Sequence, residues 1–451
     1  MSKITTLKGL VLEQLFVAMN ILAKSTILRL LLALYLLPVY CFTKAVSVLP
    51  SVIRQFPLLV TGRGRDKLIT RAEVYRRCEQ DIAAQQHDGT YRFSPASVLW
   101  WDGRTSWDMN RLVIEVCGIN ARVVHAKPKM MAQTSNNNNN NNSKLKSLIL
   151  LHGNPSWSYI WRDIIPDLTA AGYEVFAIDW LGHGTSDKPL HVSEISFELH
   201  MHTLRRVIEQ LDLAEFYIAA HDWGGCIALC TIPTLPAERH CKGLFLLNTF
   251  LPPRPHDISL HYYLLYWIWF FSTGICGPLL PDSIVLRFMA PNMSVKASEV
   301  YSQPYAQSLF NTKTSVNRFS HIVPGLPDCI YGLRQTRMWR TMEGLLGPEH
   351  FTNLNAQAWL ANRDQEVREW WSSSSPGDDK AAAKAPESVM ILFGRDDPLL
   401  PEFKNVLETS IRVSPVLQGG EAGWLSGAGH YPMEQKPKEI AHCLVQLLER
   451  Q

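Results

Sequence analysis

A chain of 451 residues, 46% hydrophobic and 19% charged, has enough apolar material for one large core or two medium ones. A formal charge of +3 gives no basic field of the kind that nucleic acid requires, so nucleic acid is not an expected partner. Nine cysteines, an odd number with no CxxC pair, argue against a disulfide scaffold or a zinc site and fit a reducing compartment.

Residues 1–60 form an apolar N-terminal segment. Between Arg29 and Lys44 runs LLLALYLLPVYCFT, uncharged but shorter than the ~20 residues of a spanning helix. Lys24 and Arg29 can snorkel and lengthen it toward LAKSTIL. A signal peptide, an anchor and a soluble helix packed on the rest of the chain all fit this run. No small-x-small cleavage site follows it directly, which favours a membrane or interfacial anchor. Membrane association through this segment is the expected arrangement. Residues 61–108 are polar, mixed and unpatterned, and read as a linker.

A patterned domain occupies 109–251. RLVIEV (111–116) and ARVVHA (121–126) read as strands joined by the CGIN turn. The asparagine tract of about 127–144 cannot build a core and reads as a disordered insertion. Strand and helix then alternate: LKSLILLHG (145–153), YEVFAIDW (173–180), a helix over 197–213, EFYIAAHDW (215–223) and GLFLLNTF (243–250). Such alternation predicts an α/β fold with a mostly parallel, doubly wound sheet. From 252 to 353 the rhythm breaks into aromatic, helical sequence such as HYYLLYWIWFF, which predicts an inserted helical cap domain. The sheet resumes over 354–451 with SVMILFGRDDPLLP (388–401), after a low-complexity insertion of about 371–388.

Motifs stand in a telling order: HGNPSW from 152, GHGTSDKP from 182, HDWGG from 221, the pair Asp396/Asp397, then His430. Nucleophile, acid and histidine follow one another in this way along α/β-hydrolases. Ala220, Asp222 and Gly224 meet the small-x-nucleophile-x-small elbow, whose tight turn needs small neighbours. An aspartate in the place of the usual serine implies attack on a saturated carbon rather than on an acyl group. Any one motif alone would be weak.

Together, HGNPSWSYIWR, D-W-LGHGTSDKP, HDWGG, FGRDDPLLP and GAGHYPMEQKP resemble the haloalkane dehalogenases over roughly 110–450, as does the cap stretch EVYSQPYAQSLFNTKTSVNRFSHIVP. The resemblance implies an α/β-hydrolase fold with a helical lid and hydrolysis of a carbon–halogen bond to alcohol and halide. Asp222 would form an alkyl ester, and His430 would activate the water that cleaves it. Asn154 and Trp223 match the halide-stabilising pair through side-chain N–H groups, and their backbone N–H groups would form the oxyanion hole. Asp397, just before Pro398 and a leucine run, is favoured over Asp396 as the acid that orients His430. The alternative acid position, after the strand 243–250, holds Asn248, which either bonds nearby or caps the strand.

The remaining motif residues read as structural: His152, His183 and His221 as packing, Arg162 and Asp187 as loop braces, Arg395 as a surface ion pair, Cys226 as inert. Trp267 and Trp269 read as core or membrane-facing packing, with pocket lining the alternative. The expected partners are a small apolar halogenated substrate, water and halide, with no metal or organic cofactor. Epoxide hydrolysis by the same Asp–His–Asp set is the rival activity, and Tyr301 and Tyr305 raise it because that chemistry uses two cap tyrosines. A membrane-tethered binding module without turnover is the rival from another class.

Overall fold

The computed structural model describes residues 90–91, 108–128, 145–189, 195–254, 257, 259–276, 282–290, 292–305, 313–323, 356–373, 383–412, 416–418 and 422–449. The expected anchor, most of the linker and the asparagine tract lie outside these residues. Among the described residues, no helix is long and apolar enough to cross a membrane.

Among the described residues the main sheet has nine strands. In chain order they are β1 (Asp108–Val116), β2 (Ile119–Lys127), β3 (Ser147–Leu151), β4 (Glu174–Asp179), β5 (Glu215–Asp222), β6 (His240–Thr249), β7 (Ser388–Gly394), β8 (Val416–Gln418) and β9 (Trp424–Leu425). Their spatial order is β8-β7-β6-β5-β3-β4-β2-β1, and β9 also pairs with β7. β1, β2 and β4 pair antiparallel, and every other pairing is parallel. A hairpin so short as CysGly between β1 and β2 permits only antiparallel pairing, whereas the later strands are separated by helical crossovers.

The central strands are continuous apolar runs because both faces of the sheet are covered. Ile149, Leu151, Ile218, Ala220, Leu244 and Leu246 enter one core. Their alternates Leu148, Leu150, Tyr217, Ala219, Phe245 and Leu247 enter the other. The two-residue period of a strand thus feeds two cores from one sequence run. Helices on these faces include α1 (Ile165–Ala170), α2 (Phe197–Gln210) and α3 (Trp223–Thr231). α2 begins where the Ser196 hydroxyl accepts from Leu199 N, and it stops at Gln210, short of the expected 213.

Among the described residues, the α-helices that follow β6 in the cap are α4 (Leu260–Cys276), α5 (Asp282–Met289), α6 (Val295–Ser302) and α7 (Thr314–Arg318). A buried ion pair at 2.7 Å, Lys313 to Asp282, ties the start of α5 to the residue before α7. The chain then re-enters the core through α8 (Ala356–Ser373), and α9 (Pro401–Ser410), α10 (Pro432–Gln435) and α11 (Pro437–Glu449) complete it.

Two insertion boundaries need correction. Lys127 closes β2, so the strand consumes the first residue assigned to the asparagine tract. Trp371, assigned to the low-complexity insertion, ends a helix instead. Its ring is fully buried and its Nε1 donates to Leu229 O at 2.9 Å. A serine run directly after it hides the anchor, because composition is read over a window while burial is decided residue by residue.

Candidate active site

The carboxyl ends of the parallel strands form one edge, and the loops there carry every candidate residue. β5 ends on Asp222, whose backbone turns to φ 52°, ψ −121° before α3 begins at Trp223. A non-glycine residue in that region is strained, and the surroundings must hold it there. The Thr249 hydroxyl does so in part by donating to Asp222 O. Gly224 is obligatory, since a Cβ there would lie 2.7 Å from Leu151 O.

Asp222 faces its partners with both carboxylate oxygens. Oδ1 accepts from the backbone N–H of Asn154 at 2.9 Å. Oδ2 lies 3.6 Å from His430 Nε2, within ion-pair reach but beyond an ordinary hydrogen bond. Behind the imidazole, His430 Nδ1 donates to Asp397 Oδ2 at 3.1 Å. Asp397 is buried while Asp396 is exposed, which settles which of the adjacent acids meets the histidine. The structure therefore brings Asp222, His430 and Asp397 together.

The charges of this buried trio support one another. Burial pushes Asp222 up, but the nearby imidazole of His430, with His221 and the Trp223 N–H, outweighs it and holds the carboxyl below its ordinary range. Burial likewise pushes Asp397 up, and His430, Asn248 and the Leu399 N–H bring it down. For His430, burial acts downward and the two carboxylates overcome it, raising the imidazole to about 10. The resting site is an imidazolium between two carboxylates.

Asn154 and Trp223 complete the set. The backbone N–H groups of both reach the Asp222 carboxyl group. Neither the Trp223 indole N–H nor the Asn154 amino group makes a hydrogen bond among the described residues, so both remain available to an anion. Phe197, Phe250 and Phe319 pack around the Trp223 ring at centroid distances of 6.2, 5.2 and 4.8 Å. An apolar wall of this kind excludes water and strengthens any charge interaction inside it.

The HGNP loop approaches Asp222 only because residue 153 is glycine. A Cβ there would fall 2.3 Å from Asp222 Oδ1. Gly153→Ala is expected to displace the carboxylate and lower kcat about a hundredfold, the usual cost of a roughly 1 Å misplacement, while steady-state kinetics shows KM moving less.

Residues 146–273 match the alpha/beta hydrolase fold family. A haloalkane dehalogenase of Psychrobacter cryohalolentis is 26% identical over 307 residues, spanning 67% of this chain and 82% of that one. The chain has the α/β-hydrolase fold and is similar to a haloalkane dehalogenase over two thirds of its length. Haloalkane dehalogenase 1 of Mycobacterium tuberculosis (strain ATCC 25618 / H37Rv) is 32% identical over 184 residues, which span 40% of this chain and 58% of that one. Among solved structures, a tetrameric haloalkane dehalogenase of Paraglaciecola agarilytica aligns with a TM-score of 0.56 at 22% identity, covering 80% of this chain and 98% of that one. An epoxide hydrolase of Vigna radiata aligns at 0.51 and 16% identity, covering 76% and 99%. Likeness at these identities is one of fold, and fold does not separate the two chemistries.

Several neighbours of the site have defined partners. Asn248, with φ 37°, donates through Nδ2 to Asp397 Oδ2 at 2.7 Å and accepts from Gly394 N at 3.1 Å. It holds the acid, and the strand-end cap reading is superseded. His221 bonds His430 O at 2.8 Å, behind the elbow as expected. His152 donates from Nδ1 to Gly153 O and accepts at Nε2 from Trp180 N, pinning the HGNP loop. Arg162 braces α10 through Glu434, with Nη2 to Oε2 at 2.8 Å. Asp187 accepts from Asn120 N at 3.1 Å. Cys226 is buried, and the Trp267 side chain lies outside the described residues. Among the described residues no group of His, Cys, Asp or Glu is arranged to hold a metal ion.

The cap tyrosines are occupied elsewhere. Tyr301 OH donates to Glu434 Oε1 at 2.6 Å, inside the Arg162 cluster. Tyr305 OH accepts from Gly184 N at 3.4 Å. Both rings are fully buried.

Proposed function

We propose that this protein hydrolyses the carbon–halogen bond of small apolar haloalkanes, using Asp222 as nucleophile. Asp222 Oδ2 attacks the halogen-bearing carbon in line, the carbon–halogen bond breaks, and the halide leaves with the bonding pair. Oδ1 is already held by the Asn154 N–H, so Oδ2 is the freer oxygen. The departing anion is received by the Trp223 indole N–H and the Asn154 amino group.

Esterification leaves Asp222 neutral. His430 then loses one of the two anions that hold its proton, sheds that proton, and becomes a general base. Water deprotonated by Nε2 adds to the ester carbonyl carbon, and the oxyanion forms on the oxygen facing the backbone N–H groups of Asn154 and Trp223. Collapse expels the alkoxide, which takes back from His430 Nε2 the proton drawn from water and leaves as the alcohol, and Asp222 returns with one oxygen from water.

The observation that carries this reading is an ionised Asp222 in the elbow, 3.6 Å from His430 Nε2 and backed by buried Asp397. Two further N–H donors with no other partner among the described residues favour a leaving halide. The epoxide alternative is weakened by Tyr301, whose O–H is already donated to Glu434 Oε1. Paired assays with a bromoalkane and an epoxide of the same carbon skeleton test the choice. Faster turnover of the bromide is expected, and faster turnover of the epoxide would reverse it. Multiple turnovers in heavy-oxygen water are expected to place label in residue 222.

A further inference from the structure

His183 sits in the loop after β4, fully buried, and no step above uses it. Its Nε2 lies 3.0 Å from Asn154 Oδ1. An amide oxygen only accepts, so this contact needs the imidazole proton on Nε2. We propose that His183 is a positioning residue of the halide site: its Nε2–H fixes Asn154 Oδ1, so that the Asn154 Nδ2 amino group is presented to the departing halide. The inference rests on the dehalogenase reading and deepens it.

The ring has one competing partner: the Leu181 carbonyl faces Nδ1, but no hydrogen bond of ordinary geometry forms there among the described residues. His152, 5.5 Å away centroid to centroid, has both ring nitrogens committed to Gly153 O and Trp180 N. Burial, with His152 and His200 nearby, pushes the His183 pKa well down, so the ring is a neutral single donor. Phe319, from the turn after α7, stands edge-on to His183 at 4.9 Å and to Trp223 at 4.8 Å. One cap ring therefore braces the indole that would bind halide and the histidine that would orient the amide.

An asparagine side chain without such a partner can present either end of its amide, because carbonyl and amino groups have nearly the same shape. The backbone N–H of Asn154 is held separately by Asp222 Oδ1 and does not depend on that choice. His183 should therefore matter for halide departure, which uses the side chain, and not for ester hydrolysis, which uses the backbone. A merely structural histidine would affect both steps alike.

The opposite tautomer gives the opposite sign. With the proton on Nδ1, toward the Leu181 carbonyl, Nε2 would accept from Asn154 Nδ2 and withdraw it from the halide. Removing the ring would then free the amino group.

The test compares wild type, His183→Leu and His183→Gln, the last of which restores an N–H near Nε2. Bromide binding is read from quenching of tryptophan fluorescence, with Trp223→Phe identifying the responsive indole. Single-turnover halide release and ester decay are read by rapid quench. His183→Leu is expected to weaken bromide roughly tenfold, about the effect of one neutral hydrogen bond. It should slow halide release similarly and leave ester decay unchanged, and His183→Gln should recover both losses. Unchanged or tighter bromide binding in His183→Leu overturns the proposal, as does equal slowing of both steps in both variants. If His183→Leu does not fold, His183→Asn, polar but too short to reach Oδ1, carries the same readouts. Absence of bromide binding in wild type overturns the dehalogenase reading first and this inference with it.

Discussion

A His430→Phe chain mixed with a primary bromoalkane is expected to release one bromide per active site and then stop. Bond-making by Asp222 Oδ2 requires no base, whereas cleavage of the ester does. Phenylalanine keeps the ring contacts that His430 makes with His221 and Tyr431, at 5.0 and 5.2 Å, so the loop should stay in place. Steady turnover should fall by about 10⁴-fold, at the upper end for a general base. Intact-protein mass analysis should show Asp222 heavier by the alkyl group. Continued release of many bromides per chain, with no adduct, would remove Asp222 and His430 from these roles.

The same variant carries a pH dependence whose sign can be worked out. His430 is one of the groups that hold Asp222 below the usual carboxylate range against the upward push of burial. Without the imidazole, that push is less opposed and the Asp222 pKa rises. On acidification the bromide burst of His430→Phe should therefore fade at a higher pH than the wild-type burst does. Wild-type steady turnover should instead fall on acidification, because the ester-state imidazole must be neutral to act. Rapid-quench bursts across a pH series separate the two curves.

The parts of this molecule that were legible in the sequence are those written in continuous runs. β3, β5 and β7 carry continuous apolar runs at their centres because their sheet is covered on both faces, and such runs need no knowledge of partners. Asp222, His430 and Asp397 were legible through order and local context, each following a strand. Residues whose work depends on a distant partner were not. Asn248 meets Asp397 across 149 positions and His183 meets Asn154 across 29, and neither pair has a spacing that repeats elsewhere. Glu434 escaped notice inside PMEQKP, although it gathers Arg162 and Tyr301 beside the histidine loop. Trp371 was concealed by the serines that follow it. In each case the local sequence offers a polar or aromatic residue with several uses, and only packing selects one.

Asp397→Asn is expected to lower steady turnover by about 10³–10⁴-fold, the scale on which a histidine loses its orienting carboxylate. Oδ2 of Asp397 accepts from two donors, His430 Nδ1 at 3.1 Å and Asn248 Nδ2 at 2.7 Å. Oδ1 accepts a third, from Leu399 N at 2.8 Å. An asparagine can keep only one of these oxygens. If its amino group takes the Oδ2 position, it faces Asn248 Nδ2 donor to donor, and His430 must turn its bare lone pair inward. The proton then sits on Nε2, toward the water that Nε2 should deprotonate. If its amino group takes the Oδ1 position, it opposes the Leu399 N–H, and His430 keeps its orientation but loses the negative charge that stabilises its protonated form. Both arrangements impair ester hydrolysis and leave halide release by Asp222 largely intact, so the variant should show a bromide burst followed by slow turnover. Asp396→Asn is the matched control. Asp396 is exposed, and its backbone N–H, which the substitution keeps, bonds Ala428 O at 2.9 Å. Its kcat should stay within about twofold of wild type, as for most exposed substitutions. A reversal, with the loss at 396 and none at 397, would mean that buried Asp397 does not orient His430 during catalysis.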